Sequence, residues 1–165
     1  MSTKTQPQTS ATRWLSSPEM RAWRAFVTAS TRLQEAFDRD LAPHGLSMPD
    51  YEVLAHLSEA PDRRLRMSEL ADISLISRSR LSHRMKVLEG AGWVTREMCV
   101  DDRRGFFAVM TEAGWQKIVA AAPDHVASVR RHLIDVLTTE ELEVMAAAFE
   151  KVVAGLRSNA NVCEQ

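Results

Sequence analysis

The sequence predicts a mainly α-helical protein with a small β-wing, and three observations carry that expectation. Two short helical segments in mid-chain, residues 68–74 and 77–90, precede two strand-like runs, residues 93–100 and 106–110. A charged turn, Asp101-Asp102-Arg103-Arg104-Gly105, separates the runs. Long amphipathic helices stand at both chain ends, with more apolar surface than one small lobe can cover. Helix, helix, strand, turn, strand is the order of a winged helix-turn-helix lobe. The terminal helices then read as a dimerisation layer that buries its stripes against a second copy.

Residues 1–17 are rich in Thr, Ser and Gln and lack an apolar h-region, so they read as a flexible arm and not a signal peptide. Ser17 and Pro18 open the first helix as cap and first-turn proline. Trp23, Phe26, Ser30, Leu33, Phe37 and Leu41 make its apolar stripe, and Pro43 and Gly45 end it. Ser47 caps a second helix, with Pro49 in its first turn and Asp50 facing the exposed N–H groups; Val53, Leu54 and Leu57 point to the core. Pro61 and Asp62-Arg63-Arg64 make a surface loop. Leu70, Ala71 and Ile73 face inward from the short helix that follows.

Ser77 caps the next helix, whose inward face is Leu81, Met85 and Leu88, and Glu89-Gly90-Ala91-Gly92 stops it. Thr111 caps a long helix reaching about residue 137, with Trp115, Ile118, Val119, Ala122, Val126, Val129, Leu133 and Ile134 apolar and a kink expected at Pro123. Thr138-Thr139-Glu140-Glu141 is a capping box. Leu142, Met145, Phe149, Val152 and Leu156 then recur at steps of 3, 4, 3 and 4, a coiled-coil-like seam. The layout is an arm over 1–17, a single domain over 18–157 and a flexible tail over 158–165. Within the domain the winged lobe spans about 46–110, and the dimerisation helices span about 18–42 and 111–157.

Composition excludes several classes. The chain has 165 residues and a formal charge of −1, with no apolar run near the ~18–20 residues that a bilayer span needs, so a cytoplasmic protein without a membrane partner is expected. Charge is uneven: residues 63–105 hold ten Lys and Arg against six Asp and Glu, a basic middle between acidic ends. Cys99 and Cys163 are too few for a disulfide scaffold or a cysteine zinc site. A positive neighbour such as Arg96 or Arg103 could activate Cys99 for redox sensing; the simpler reading is an inert strand residue. His125 and His132 share a helix face, yet no third ligand follows at helical spacing, so no metal and no cofactor is expected. No Gly-rich phosphate loop, serine elbow or HExxH is present, and the chain is not expected to be an enzyme.

The helix at 77–90 has no acid before Glu89. With Leu81, Met85 and Leu88 turned inward, its outward set is Ser77, Arg78, Ser79, Arg80, Ser82, His83, Arg84 and Lys86, a surface suited to double-stranded DNA. Ser77 and Ser79 sit where helix N–H groups meet phosphate. Arg78, Arg80 and His83 are the candidates for base contact; Arg84 and Lys86 fit backbone phosphate or a structural acid. A cleft between the long helices and the lobe, lined by Trp23, Phe26, His44, Met48, Tyr51 and His56, would take a small-molecule effector, with an aromatic acid or phenol suited to aromatic and histidine walls. The same residues also serve as plain core packing.

The run from Leu70 to Glu89 resembles the helix-turn-helix of the MarR family of bacterial transcription regulators. Gly92-Trp93-Val94 is similar to the start of that family's first wing strand, Asp102-Arg103-Arg104-Gly105 to its wing, and Met110-Thr111-Glu112-Ala113-Gly114 to the start of its fifth helix. Leu75 departs from the small residue that the family often has there. The resemblance covers about residues 20–156. It implies an all-helical homodimer with two winged lobes on pseudo-palindromic operator DNA, often released by a small ligand or oxidant. Within the wing it implies that Asp102 orients Arg104 into the minor groove while Arg103 meets phosphate. Peroxide-sensing relatives carry a cysteine early in the first helix, and this chain has none there. The alternative from a different class is a winged-helix module for protein contacts. The charged face over 77–86 argues against it, since protein interfaces are depleted in such charge.

Overall fold

The structure, a computed structural model, describes residues 12–74, 76–99 and 105–162, with side chains as far as 156. In chain order the helices and strands are α1 (Ser17–Leu41), α2 (Met48–Glu59), β1 (Arg64–Arg66), α3 (Met67–Ile73), α4 (Arg78–Gly90), β2 (Val94–Met98), β3 (Phe106–Met110), α5 (Glu112–His132) and α6 (Thr139–Val162). The residues divide into two compact units, Met1–Arg32 and Leu33–Gln165.

The first unit contains the outer part of α1. Its cap is Ser16, not Ser17: the Ser16 N–H and hydroxyl both donate to Glu19 Oε2 at 2.7 Å, and Met20 N–H already donates to the Ser16 carbonyl at 2.8 Å. Pro18 therefore falls one position further into the first turn. Trp23, Phe26 and Val27 stand exposed on this segment, with the Trp23 and Phe26 rings 6.1 Å apart.

The second unit is built on local chemistry. A left-handed Gly45 (φ 68°) ends the turn after α1: its N–H donates to the Ala42 carbonyl at 2.9 Å and the Leu46 N–H to the Leu41 carbonyl at 3.4 Å. The N-terminus of α2 is closed by three groups. Ser47 and Asp50 exchange capping bonds, and Asp38 of α1 accepts from the Met48 N–H at 2.6 Å. At the end of α4, Gly92 (φ 75°) repeats the glycine cap, with Gly92 N–H to Glu89 and Trp93 N–H to Leu88. Thr111 caps α5, its hydroxyl accepting from Gly114 N–H at 3.0 Å, and Thr138 with Glu141 caps α6.

Three further expectations change. The sheet has three strands in the antiparallel order β1-β3-β2, not two: Arg64–Arg66 pairs with β3 in the register Arg64 to Val109 and Arg66 to Phe107. Arg64 is thus strand rather than loop, because β3 offers an open edge that three residues can fill. Ile73 is 45% exposed, since the buried stripe of α3 runs through Leu70, Ala71 and Ser74 and Ile73 falls one step off it. The helix α5 continues past Pro123 and stops at His132, where Leu133 leaves helical geometry (φ −133°, ψ −57°).

Leu54, Leu57, Leu70, Leu81, Met85 and Leu88 are fully buried together with Val53 and Val94, so α2, α3, α4 and the sheet close one core. Gly114 is required there: a Cβ would lie 2.1 Å from the Trp93 carbonyl oxygen. Among the described residues no helix is long and apolar enough to cross a membrane.

Candidate nucleic-acid interface

The candidate recognition surface is α4, about three and a half turns long. Its first free N–H is met by the cap, with the Ser77 hydroxyl accepting from Arg80 N–H at 3.3 Å and lying 3.1 Å from the Ser79 hydroxyl. With Leu81, Met85 and Leu88 buried, Ser77, Arg78, Ser79, Arg80, His83 and Lys86 are exposed. Two clefts flank the helix. One, of about 520 Å³, brings Arg78 and Ser82 together with Arg66, Ser68 and Arg96 at the base of the wing. The other, of about 470 Å³, joins Ser79, Arg80, His83 and Arg84 to Pro49 and Ile76. A helix N-terminus edged with arginines and hydroxyls concentrates positive potential where a phosphate chain would run.

The basic residues of the lobe separate into two groups. Arg63 donates to Glu112 at 3.1 Å and covers the Trp115 ring at 4.0 Å; Arg64 pairs with Glu97 at 3.4 Å and stacks on Phe107 at 3.9 Å. Arg96 donates to the Ser82 carbonyl at 3.1 Å and lies 3.5 Å from Glu89. Arg84 reaches back to the buried Asp50 at 3.3 Å. These four hold the lobe together. Among the described residues, Arg78, Arg80, His83 and Lys86 have no ion-pair partner, so the charges of the two arginines and the lysine, and the His83 ring, face outward for a ligand. The structure thus gives Arg84 a positioning role, fixing α4 against the N-terminus of α2. Ser82 is half-buried, with its carbonyl occupied by Arg96.

The wing rises as β2 and β3, paired from Val94–Met110 to Met98–Phe106, and Cys99 N–H donates to the Gly105 carbonyl at 3.0 Å. Asp102, Arg103 and Arg104 lie outside the described residues. The Cys99 side chain is buried as a free thiol. Arg66 and Ser68 at the base of the wing were not singled out from sequence. The position of Arg66 just before a short helix, mirroring Ser77 before α4, and of Ser68 in that helix's first turn is the signal that could have found them.

The expected ligand residues are divided. Met48, Tyr51 and His56 line one cleft of about 540 Å³ on α2, with Gln34, Glu52 and Glu59. His44 is elsewhere, paired through Nε2 with Asp124 Oδ2 at 2.8 Å while its carbonyl accepts from Lys117 at 3.2 Å. Trp23 and Phe26 belong to the outer part of α1. The Tyr51 ring packs 4.2 Å from the His125 imidazole, which burial holds below its ordinary pKa. No cluster of three metal-ligating side chains occurs among the described residues.

Comparison with known proteins agrees with this geometry. The sequence model of the MarR family matches residues 44–105, which run from just before α2 to the residue before β3. The structure is similar to that of AbsC, a MarR family transcriptional regulator from Streptomyces coelicolor: TM-score 0.86 and 46% identity, covering 89% of this chain and 99% of that one. It is similar to Sco3205, a MarR family regulator from the same organism solved in complex with DNA, with TM-score 0.86 and 42% identity over 88% and 92% of the two chains. The HTH-type transcriptional regulator PecS of Dickeya dadantii is 27% identical over 132 residues, 79% of this chain and 78% of its own length. With a basic α4 face, a three-stranded wing and near full-length similarity to such regulators, the chain belongs to the MarR family of transcriptional regulators.

Proposed function

We propose that the protein is a cytoplasmic homodimeric repressor. Each protomer would seat α4 in a major groove of a pseudo-palindromic operator, and a small aromatic or phenolic molecule would release the DNA. The carrying observation is the division of charge on the lobe: Arg63, Arg64, Arg84 and Arg96 are occupied internally, while Arg78, Arg80, His83 and Lys86 face outward from a capped helix. Arg78 and Arg80 are the base readers, His83 reads beside them, and Ser77, Ser79, Ser82 and Lys86 serve the phosphates. In the wing, Asp102 orients Arg104 toward the minor groove and Arg103 meets phosphate. Two lobes need a common frame. The exposed seam Phe149, Val152 and Leu156 of α6 supports a second copy as that frame. A dimer seated over a promoter blocks polymerase, which makes repression the simplest output.

The test is fluorescence anisotropy of the purified protein on DNA from its own upstream region, at about 50–300 mM salt, with an unrelated duplex as competitor. Tight, salt-dependent and competitor-resistant binding is expected. Arg104→Ala should weaken it at least about tenfold with no loss of melting temperature. Absence of binding at low salt would return the lobe to the protein-contact reading, and unchanged affinity in Arg104→Ala would remove the wing from recognition.

A further inference from the structure

The cleft on α2 has a charge pattern that selects among ligands. Its floor is apolar, from Met48, Pro49, Ala55 and Ile76, with the Tyr51 ring as an aromatic wall. Its polar groups are Glu52, His56, Glu59 and Gln34, and among the described residues that line it there is no Lys or Arg. Glu52, His56 and Glu59 follow one another at steps of four and three along α2, so one helix face brings two carboxylates to the same cleft. His56 stands 3.9 Å from Glu52, too far for a tight pair and able to offset one of the two acids only when protonated.

The Tyr51 ring is not already serving a cation on its other side. It is backed by His125, whose imidazole is driven toward the neutral form by burial and whose Nδ1 is buried without a hydrogen-bond partner among the described residues. Burial pushes the Glu52 carboxyl up, with His56 opposing. Burial and then the charge of Glu59 push the Tyr51 phenol up. Both shifts report partial burial of the cleft wall, and the Tyr51 shift also reports the negative charge of Glu59.

We propose that this cleft takes an aromatic organic cation, with the charged nitrogen between Glu52 and Glu59 and the ring system against Tyr51. The proposal rests on the reading of the cleft as the effector site and gives that effector a class. A carboxylate or phenolate ligand would meet two like charges with no Lys or Arg among the described lining residues to receive it, and with His56 already beside Glu52. An amine or quaternary ammonium meets opposite charge and an electron-rich ring face together. A volume of about 540 Å³ holds a body of two or three fused rings. Pro49 and Ile76 line both this cleft and the one beside Arg80 and His83, so an occupant here touches the wall of the DNA-reading side.

Binding is measured without DNA, by anisotropy of the cationic dye rhodamine 6G titrated with the full chain. Benzyltrimethylammonium, benzyl alcohol and salicylate then compete as cationic, neutral and anionic probes. Benzyltrimethylammonium should displace the dye at a concentration at least about tenfold below the other two. The double variant Glu52→Gln, Glu59→Gln should lose at least about tenfold in dye affinity while its melting temperature and DNA affinity stay unchanged. Equal displacement by the three probes, or full dye affinity in the double variant, overturns the proposal; the probe comparison on the unaltered chain decides it even if the variant misfolds. Release is read separately on operator DNA. A dye that binds with this dependence and leaves the DNA bound keeps the site and removes only its regulatory role.

Discussion

The winged lobe and the last helix use the same apolar periodicity to opposite ends. In the lobe, Leu54, Leu57, Leu81, Met85 and Leu88 recur at helical steps and are fully buried by their own chain. In α6, Phe149, Val152 and Leu156 recur at the same steps and are 44%, 56% and 64% exposed. A period of three and four says that a face will be covered, not by what. The difference lies in how far each face is covered: three helices and a sheet converge on the lobe, while among the described residues the α6 stripe keeps about half of its surface exposed.

The sharpest way to break that comparison is to charge the open face. Phe149→Asp with Leu156→Asp should cost several kcal/mol of association if a second copy covers the seam, giving a monomer by sedimentation and a loss of operator binding. An unchanged mass would show that the seam is not the interface. The matching change in the closed region, Leu88→Ala, should cost about 2–5 kcal/mol and lower the melting temperature at every protein concentration, because the void cannot be filled by a partner. A concentration-dependent loss there would blur the distinction.

Arg84→Ala tests the boundary between holding and reading. It should cost about 1–2 kcal/mol in stability, limited because Arg84 is one-third exposed and Asp50 keeps its Ser47 bonds, and should weaken DNA binding without changing sequence preference. Arg80→Ala should leave stability alone and relax base preference. A relaxed preference in Arg84→Ala would make it a reader after all.

The smallest effect concerns acidity. Burial holds the folded His125 imidazole below its ordinary value, so the unfolded chain takes up that proton first as pH falls. Stability is complete above about pH 6.5 and declines from there toward the lower folded value. Calorimetry at about pH 7.5 and 5.5 should show a loss at the lower pH that shrinks in His125→Phe. An identical loss in the variant would assign the acid sensitivity elsewhere.

What was legible followed from the range of each interaction. The caps at Ser47, Thr111 and Thr138 and the glycines after α1 and α4 close bonds within a few residues, and the sequence states them. The strand Arg64–Arg66 was not legible, because its only reason to be extended is β3, forty residues on. The facing of Ile73 was lost because a seven-residue helix is too short for its period to exclude a neighbouring position. The division of arginines into structural and available ones depends on Glu112, Glu97 and Asp50, partners that adjacency in sequence does not reveal. The spacing of Glu52, His56 and Glu59 puts the acids of the α2 cleft on one helix face, yet the same spacing fits an ordinary solvated face, and only the cleft walls from Gln34 and Ile76 set it apart.

The close approach of Gly114 to the Trp93 carbonyl has a mechanical meaning. That carbonyl also accepts from Thr111 N–H at 3.0 Å, and the Thr111 hydroxyl donates to the Gly92 carbonyl at 2.7 Å. The root of the wing and the first turn of α5 are thereby riveted at close range by two short hydrogen bonds, with no side chain on Gly114 to hold them apart. The root of β2 is tied to α5 at this joint, so α5 works as a tiller for it: a rotation of the helix here would carry Gly92 and Trp93 with it.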